Sequence, residues 1–170
     1  MKTMNDLCVG FLQDIYYAER QILKALPKMV KAAENPQLKE ALTHHREQTE
    51  HHVERLQKVF EEFGKPARAK TCEAIQGILE EGDECVHDFE MGAVRDAGII
   101  ANAQAVEHYE MARYLSLISW TNTLGKPESA KLLQETLAEE QKADSLLKQI
   151  AGATVGATVG KAPASKAVAA

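Results

Sequence analysis

The chain of 170 residues is long enough for one domain with a sizeable hydrophobic core. Its formal net charge is −5, and its lysines and arginines are interleaved with acids rather than clustered, which argues against a nucleic-acid-binding protein. The low aromatic share of 5% and the long stretches without glycine or proline indicate a helical protein.

Three cysteines, Cys8, Cys72 and Cys85, are too few for a disulfide framework, and we expect them to be reduced. The N-terminus starts a helix-like pattern without an apolar signal core, and no apolar run reaches the length of a membrane span. The sequence therefore predicts a cytoplasmic protein with neither a membrane nor a nucleic acid as partner.

The first predicted helix begins near Thr3, a residue type that caps helix N-termini, and runs to about Ala33. Pro27 lies inside this span and allows a kink there. Asp14 lies on one edge of the apolar stripe and Glu19 on the opposite edge, so either acid could turn toward the core.

A second helix follows the Asn-Pro pair at 35–36 and covers about residues 37–63. The helical wheel places His45, Thr49 and His52 on its apolar stripe. Histidines at the edge of a core more often bond neighbouring carboxylates than bind metal, and both interpretations stay open for His45 and His52.

A third, shorter helix is predicted from Thr71 to about His87, after a basic linker. Glu84 and His87 have the spacing of a metal-ligand pair, but both lie away from the apolar face of this helix. We therefore interpret them as the solvated end of a helix.

A fourth helix, about residues 94–123, carries two acids on its apolar stripe, Glu107 and Glu110. Unpaired carboxylates in an apolar interior cost several kcal/mol each, so these acids need cations, shared protons or a metal ion. Tyr114 lies one turn beyond Glu110 and could either pack or bond a ligand carboxylate.

A fifth helix, about residues 128–151, repeats this oddity, because Glu140 and Asp144 interrupt its seam of leucines. Glu110 and Glu140 each lie 15 residues from Gly125 in the intervening turn. The two acids should therefore stand level in a helical hairpin.

Four long amphipathic helices, with a short helix in the longer connection between the second and third, predict a four-helix bundle of two hairpins over residues 1–151. Residues 152–170 are rich in glycine, alanine and threonine, and we expect a flexible low-complexity tail.

In such a bundle, acids of the fourth and fifth helices converge with imidazoles of the second. Iron and manganese accept oxygen-rich clusters with one or two histidines, and a carboxylate can bridge two cations. The acids could instead share protons or pair with Arg113 or Lys142. A dinuclear metal site and a structural acid cluster therefore remain alternatives.

Several segments resemble the bacterial YciF/YciE stress-protein family (DUF892), a branch of the ferritin-like superfamily, in register over about residues 3–151. The clearest are Asp14-Ile-Tyr-Tyr-Ala-Glu-Arg-Gln21, Val106-Glu-His-Tyr-Glu110 and Leu132-Leu-Gln-Glu-Thr-Leu-Ala-Glu-Glu140. The resemblance implies an all-α, ferritin-like four-helix bundle with one extra short helix between the two hairpins. It also implies a homodimer, a dinuclear iron or manganese centre as in rubrerythrins, and a role in osmotic or general stress.

The ligand pattern of rubrerythrin-like proteins carries over unevenly. Glu107-x-x-Glu110 and Glu140 match the acids of the last two bundle helices. Ala143 stands where a Glu-x-x-His motif places histidine, and Asp144 could substitute for it.

On the second helix, the same motif falls on Glu47 and Glu50 by spacing, or on Thr49 and His52 by helical face. The candidate metal ligands of the whole chain are Asp14, Glu19, His45, His52, Glu107, Glu110, Glu140 and Asp144.

The predicted function is that of a cytoplasmic stress protein that binds one or two iron or manganese ions inside the bundle. If it is an enzyme, two metals would pass electrons to oxygen or peroxide. A ferroxidase, a peroxidase and a manganese-catalase-like enzyme would share these ligands. The alternative is a non-catalytic helical scaffold whose buried carboxylates are structural and which acts by binding partners.

Overall fold

The computed structural model describes residues 1–159, and every regular element in this part of the chain is an α-helix. The helices are α1 (Met4–Ala32), α2 (Pro36–Glu62), α3 (Glu73–Asp88), α4 (Ala93–Thr123) and α5 (Pro127–Val159). The predicted all-α class is confirmed, with α3 as the short helix in the connection between the two pairs of long ones.

Capping residues mark the ends of the long helices. Thr3 and Asp6 form a capping box, in which each side chain accepts a hydrogen bond from the other residue's backbone N–H, at 3.2 and 2.8 Å. The Asn35 side chain accepts two backbone N–H groups of the first turn of α2. Gly64 and Gly125 follow α2 and α4 with φ of +62° and +69°, a conformation that favours glycine.

One local detail of the first half differs from the sequence prediction. The third helix begins after an N-cap at Cys72, not at Thr71, and the Cys72 side chain makes no capping hydrogen bond. Pro27 lies within α1, which continues to Ala32, close to the predicted end.

The last helix is longer than predicted, since α5 continues past Ala151 to Val159. Thr154 is buried in this extension, where its hydroxyl donates to the carbonyl of Ile150 and the Asn35 amide donates to it. The Asn35 contact joins this extension to the N-cap of α2. Of the predicted tail, residues 160–170 lie outside the described residues.

Two helical hairpins face each other in the bundle. Helix α1 packs along α2 and α4 packs along α5, while α2 also contacts α5 and α1 contacts α4. Asp96 at the start of α4 accepts the backbone N–H groups of Glu34 and Asn35 at 2.8 and 2.7 Å, which fixes the turn between α1 and α2. This packing brings the inner faces of all four long helices together.

Large apolar side chains fill most of the interior, and burying each of them stabilises the fold by about 1.5–3 kcal/mol. Among the largest that are fully buried are Leu12, Ile15, Leu56, Phe60, Ile100 and Leu117. The short helix α3 packs mainly on α4, and Gly98 permits the close approach, because a Cβ there would lie 2.1 Å from the Cys85 sulfur.

The predicted reduced state of the cysteines agrees with the structure, in which Cys8, Cys72 and Cys85 are all unpaired. None of the helices described in residues 1–159 is long and apolar enough to cross a membrane.

Candidate metal centre

Six polar side chains meet in the interior near the middle of the four long helices. They are Glu19 of α1, His45 and His52 of α2, Glu107 and Glu110 of α4, and Glu140 of α5. We call this set the acid–histidine cluster. Every member is buried, and four of them are completely inaccessible to solvent.

Helical spacing explains why these polar residues face inward. On α1, Glu19 follows the buried Ile15 by four residues and precedes the buried Ile22 by three. On α4, Glu110 precedes the fully buried Tyr114 by four, and Glu107 precedes that residue by seven. Each acid therefore occupies a position at which the helix would otherwise present an apolar side chain.

The cluster consists of two groups that share one residue. His45, Glu107, Glu110 and Glu140 form one group, and Glu19, His52 and Glu140 form the other. Within each group, one ligand atom per residue lies within 4.8 Å of all the others. Such spacing is close enough for a single ion to contact every member of a group.

Glu140 connects the two groups through its two carboxylate oxygens. Its Oε2 lies 3.9 Å from Nδ1 of His45, whereas its Oε1 lies 3.1 Å from Nδ1 of His52. A carboxylate whose two oxygens face different imidazoles is placed to bridge two cations.

Nine nitrogen and oxygen atoms of this cluster are buried without a hydrogen-bond partner in the described part of the chain. They include both oxygens of Glu110, both oxygens of Glu140 and both ring nitrogens of His45. Leaving buried polar atoms unpaired is costly, and native interiors contain few of them. The side chains present therefore fit a group of bound cations, which would satisfy these atoms together.

Burial raises the pKa of Glu107 and Glu110 well above the ordinary value of a glutamate, and the facing carboxylate of Glu140 raises both further. Burial also raises the pKa of Glu19. For Glu140 itself burial acts in the same direction, but contacts with His52 outweigh it and lower the pKa. Without a cation, burial therefore favours the protonated forms of Glu107 and Glu110.

The two histidines respond to burial in opposite ways. Burial opposes the protonated form of His52, yet Glu19 and Glu140 outweigh it and raise its pKa to about 11. For His45 burial dominates and lowers the pKa, so this ring is neutral near pH 7. Nδ1 of His52 lies 3.4 Å from Oε2 of Glu19 and 3.1 Å from Oε1 of Glu140, so both carboxylates favour the protonated form of this ring.

Residues around the cluster hold its members in place. Arg55 binds both oxygens of Glu139 at 2.6 and 3.0 Å, and Nε2 of His52 donates to Oε2 of the same carboxylate at 2.8 Å. This contact leaves Nδ1 of His52 directed at the cluster. The Tyr114 hydroxyl donates to Oε1 of Glu19, so this tyrosine bonds a carboxylate of the cluster.

Two of the eight candidate ligands do not join the cluster. Asp14 is partly exposed, and its Oδ1 lies 3.5 Å from Nζ of Lys70 in the linker after α2. Asp144 is buried one turn beyond Glu140, but its oxygens accept hydrogen bonds from Gln104 at 3.1 Å and Lys148 at 2.5 Å. Both carboxylates therefore already have partners elsewhere.

Of the two pairs considered on α2 for the Glu-x-x-His motif, only the pair chosen by helical face points into the bundle. Glu47 and Glu50 are exposed on the outer surface, whereas Thr49 and His52 are fully buried. The Thr49 hydroxyl donates to the carbonyl of His45 at 2.8 Å. On this inner face of α2, Thr49 stands three residues before His52, and His45 adds a second imidazole two turns before His52. Glu84 and His87 are exposed, as predicted.

The role of Glu139 and Arg55 was not predicted from the sequence. A usable signal was present, since Arg55 follows His52 by three residues and so lies on the same side of α2. Glu139 directly precedes Glu140, and their adjacent positions on α5 let one acid face the cluster while the other contacts the arginine.

Comparisons with known proteins agree with this fold. A family model described as "Domain of unknown function (DUF892)" matches residues 3–160. Protein YciF of Escherichia coli (strain K12) is 41% identical over 152 residues, which cover 89% of this chain and 92% of that protein.

Two solved structures are similar over most of their length. The Escherichia coli stress protein YciF matches with a TM-score of 0.88 and 40% identity, over 92% of this chain and 99% of that one. YcfI from Rhodopseudomonas palustris matches with a TM-score of 0.84 and 46% identity, over 86% of this chain and 94% of that one. The chain therefore belongs to the DUF892 family, the family of the bacterial stress protein YciF.

Proposed function

We propose that this chain is a stress-response protein that binds two iron or manganese ions in the acid–histidine cluster and oxidises them with oxygen or peroxide. The observation that carries the proposal is the position of Glu140, whose two oxygens face the two halves of the cluster. The stress role is transferred from the related Escherichia coli stress protein YciF. We place the protein in the cytoplasm, where its three unpaired thiols would stay reduced.

The composition of the cluster supports two divalent ions. His45, Glu107 and Glu110 would hold one ion with the near oxygen of Glu140, and Glu19 and His52 would hold the other with its far oxygen. The four carboxylates carry four negative charges when ionised, which balance two divalent cations in a buried site. Mixed carboxylate and imidazole donors suit iron and manganese.

When bound, the two metal(II) ions would together supply two electrons, which reduce oxygen to hydrogen peroxide or hydrogen peroxide to water. The residues of the chain would perform the remaining tasks. Glu140 holds the two halves at a fixed separation, and the Arg55–Glu139 pair keeps Nδ1 of His52 turned inward. Tyr114 fixes one oxygen of Glu19, and the surrounding apolar side chains exclude water from the site.

Metal loading of the full chain tests this proposal. The protein is incubated anaerobically with iron(II) or manganese(II), desalted and analysed for metal, and air or peroxide is then admitted. We expect about two ions per chain, followed by their oxidation. Less than a few tenths of an ion per chain would contradict the proposal and favour a structural acid cluster in a non-catalytic scaffold.

The chain offers a matched control for this experiment. The double variant Glu107→Gln with Glu110→Gln should lose the metal, while Glu47→Gln with Glu50→Gln changes the same spacing on the exposed face of α2 and should retain it. Equal metal content in the two variants would contradict the assignment of Glu107 and Glu110 as ligands. The homodimer belongs to the same proposal and is checked by sedimentation of the loaded protein.

A further inference from the structure

An apolar cavity of about 280 Å³ adjoins the acid–histidine cluster and is lined by residues of all five helices. His45 and Glu107 form its inner end, so the cavity and the cluster share a wall. Apolar side chains such as Ile22, Leu79 and Val106 line its sides. The cavity therefore extends the interior of the bundle from the cluster toward the surface.

The opening of this cavity lies between α2 and α5. Its exposed lining residues are His44 on α2 and Lys142 and Leu146 on α5, and we call these three residues the mouth. Nδ1 of His44 lies 3.9 Å from the Glu47 carboxylate, which leaves Lys142 as the cation that faces an entering molecule. A shallow groove along α2 and α5 continues from His44 and Leu146.

Small residues at core-facing positions create the empty volume. Ala25, Ala41, Ala103 and Ala143 each come from a different long helix, and all four line the cavity. Protein interiors are normally close-packed, and an unfilled cavity lowers stability in proportion to its volume. Coincident small residues on four helices therefore indicate a space that a ligand fills.

We propose that this cavity binds the hydrocarbon chain of a medium-chain fatty acid, with its carboxylate at Lys142 and its methyl end toward His45 and Glu107. The volume fixes the size, since a cavity of about 150 Å³ holds benzene, so about 280 Å³ suits roughly twelve non-hydrogen atoms. Decanoate has this size. Burial and charge fix the direction, because Lys142 attracts an anionic group at the exposed mouth, whereas a carboxylate at the buried inner end would lose its hydration.

This inference stands apart from the proposed metal chemistry, because the cavity is formed by the side chains alone. The experiment therefore uses the full chain in its metal-free form. Binding is measured by isothermal titration calorimetry with decanoate, octanoate and hexanoate, each well below the concentration at which it forms micelles.

We expect one decanoate per chain, with affinity falling about fourfold for each methylene removed. Absence of saturable decanoate binding, or an affinity that does not depend on chain length, would overturn the proposal.

Filling the cavity tests where the chain binds. Ala103→Phe places a ring in the cavity, whereas Ala101→Phe adds the same ring on the exposed side of the same helix. Decanoate affinity should fall at least about tenfold in the first variant and stay unchanged in the second. Circular dichroism checks folding, and Ala25→Phe on α1 replaces Ala103→Phe if that variant does not fold. Unchanged affinity in the folded filling variant would overturn the proposal.

Reversing the charge at the mouth tests the orientation of the ligand. Lys142→Glu should weaken decanoate binding about two- to fivefold and should not weaken binding of decyltrimethylammonium, while Lys131→Glu, elsewhere on α5, should change neither. The placement of the carboxylate would be overturned if Lys142→Glu lowered the affinity for both ligands equally. It would also be overturned if the two lysine variants lowered the affinity for decanoate equally.

Discussion

Two pairs of glutamates with the same spacing have opposite environments in this bundle. Glu107 and Glu110 of α4 are buried against three other helices, whereas Glu47 and Glu50 of α2 are exposed and contact only neighbours on their own helix. Burial shifts the pKa of the α4 pair far upward. The chemical role of a Glu-x-x-Glu pair is therefore set by the helical face that it occupies, and not by its spacing.

The largest expected difference between the two pairs is in stabilisation by metal. A ligand at 100 times its dissociation constant stabilises the folded state by about 2.7 kcal/mol per site. Manganese(II) should therefore raise the free energy of unfolding of the wild type and of Glu47→Gln/Glu50→Gln by this order. It should not stabilise Glu107→Gln/Glu110→Gln. Urea unfolding with and without metal measures the effect, and similar gains in both variants would refute the distinction.

A smaller effect is expected from the residues that orient His52. Glu139→Gln removes the charged acceptor of the His52 ring, and metal affinity should fall about 10- to 100-fold. Glu135→Gln is the matched control, since this exposed carboxylate of α5 also faces Arg55, at 3.6 Å, but does not contact the histidine. Competition with a chelator of known affinity measures both. The role of Glu139 would be disproved by equal affinities.

The two pairs should also differ in how they affect the pH dependence of the stability of the metal-free protein. Because Glu107 and Glu110 have raised pKa values, the folded state binds more protons than the unfolded state above about pH 4.5. Their contribution to stability is therefore present at low pH and is lost as pH rises through the folded-state pKa, by at most about 1.4 kcal/mol per pH unit and group.

Glutamine cannot titrate, so the stability of Glu107→Gln/Glu110→Gln relative to the wild type should increase with pH. For the exposed pair, the difference in stability between Glu47→Gln/Glu50→Gln and the wild type should not change with pH. Thermal unfolding of the chelator-treated proteins at a series of pH values above about 4.5 measures these differences. A flat difference for the buried pair would mean that its acids are ionised in the folded protein.

The smallest effect concerns the exposed pair in the absence of metal. Glu47 and Glu50 make only surface contacts, with His44 at 3.9 Å and Arg46 at 3.5 Å. Exposed ion pairs contribute about 0–1 kcal/mol, so the double glutamine variant should keep nearly the stability of the wild type. A loss of several kcal/mol at neutral pH would show that these side chains are structurally important.

Much of this arrangement was predictable because it follows from helical periodicity. The period of 3.6 residues placed Glu107, Glu110 and Glu140 on inner faces, and the turn at Gly125 set the last two level. The same wheel placed His45 inside on α2. These positions depend on one helix or one hairpin at a time.

Helical periodicity could not predict which acids join the cluster where the outcome depends on contacts between distant segments. Asp14 and Glu19 both lay at an edge of the α1 stripe. Lys70 in the linker pairs with Asp14 outside the cluster, whereas Tyr114 on α4 bonds Glu19 inside it. Asp144 shares the seam of α5, but Lys148 and two residues of α4 hold it.

The cavity was not predicted for a similar reason. An alanine on the inner face of one helix is ordinary, and Ala25, Ala103 and Ala143 become informative only when packing brings them to one space. The contact of the α5 extension with Asn35 is likewise between residues more than a hundred positions apart in sequence.

Anomalous X-ray diffraction from crystals of the manganese-loaded chain would show whether Glu140 joins two metal ions. We expect two anomalous peaks, one near His45, Glu107 and Glu110 and the other near Glu19 and His52, with a Glu140 oxygen toward each. No peak in the cluster, or peaks only at surface carboxylates, would disprove a dinuclear centre at Glu140.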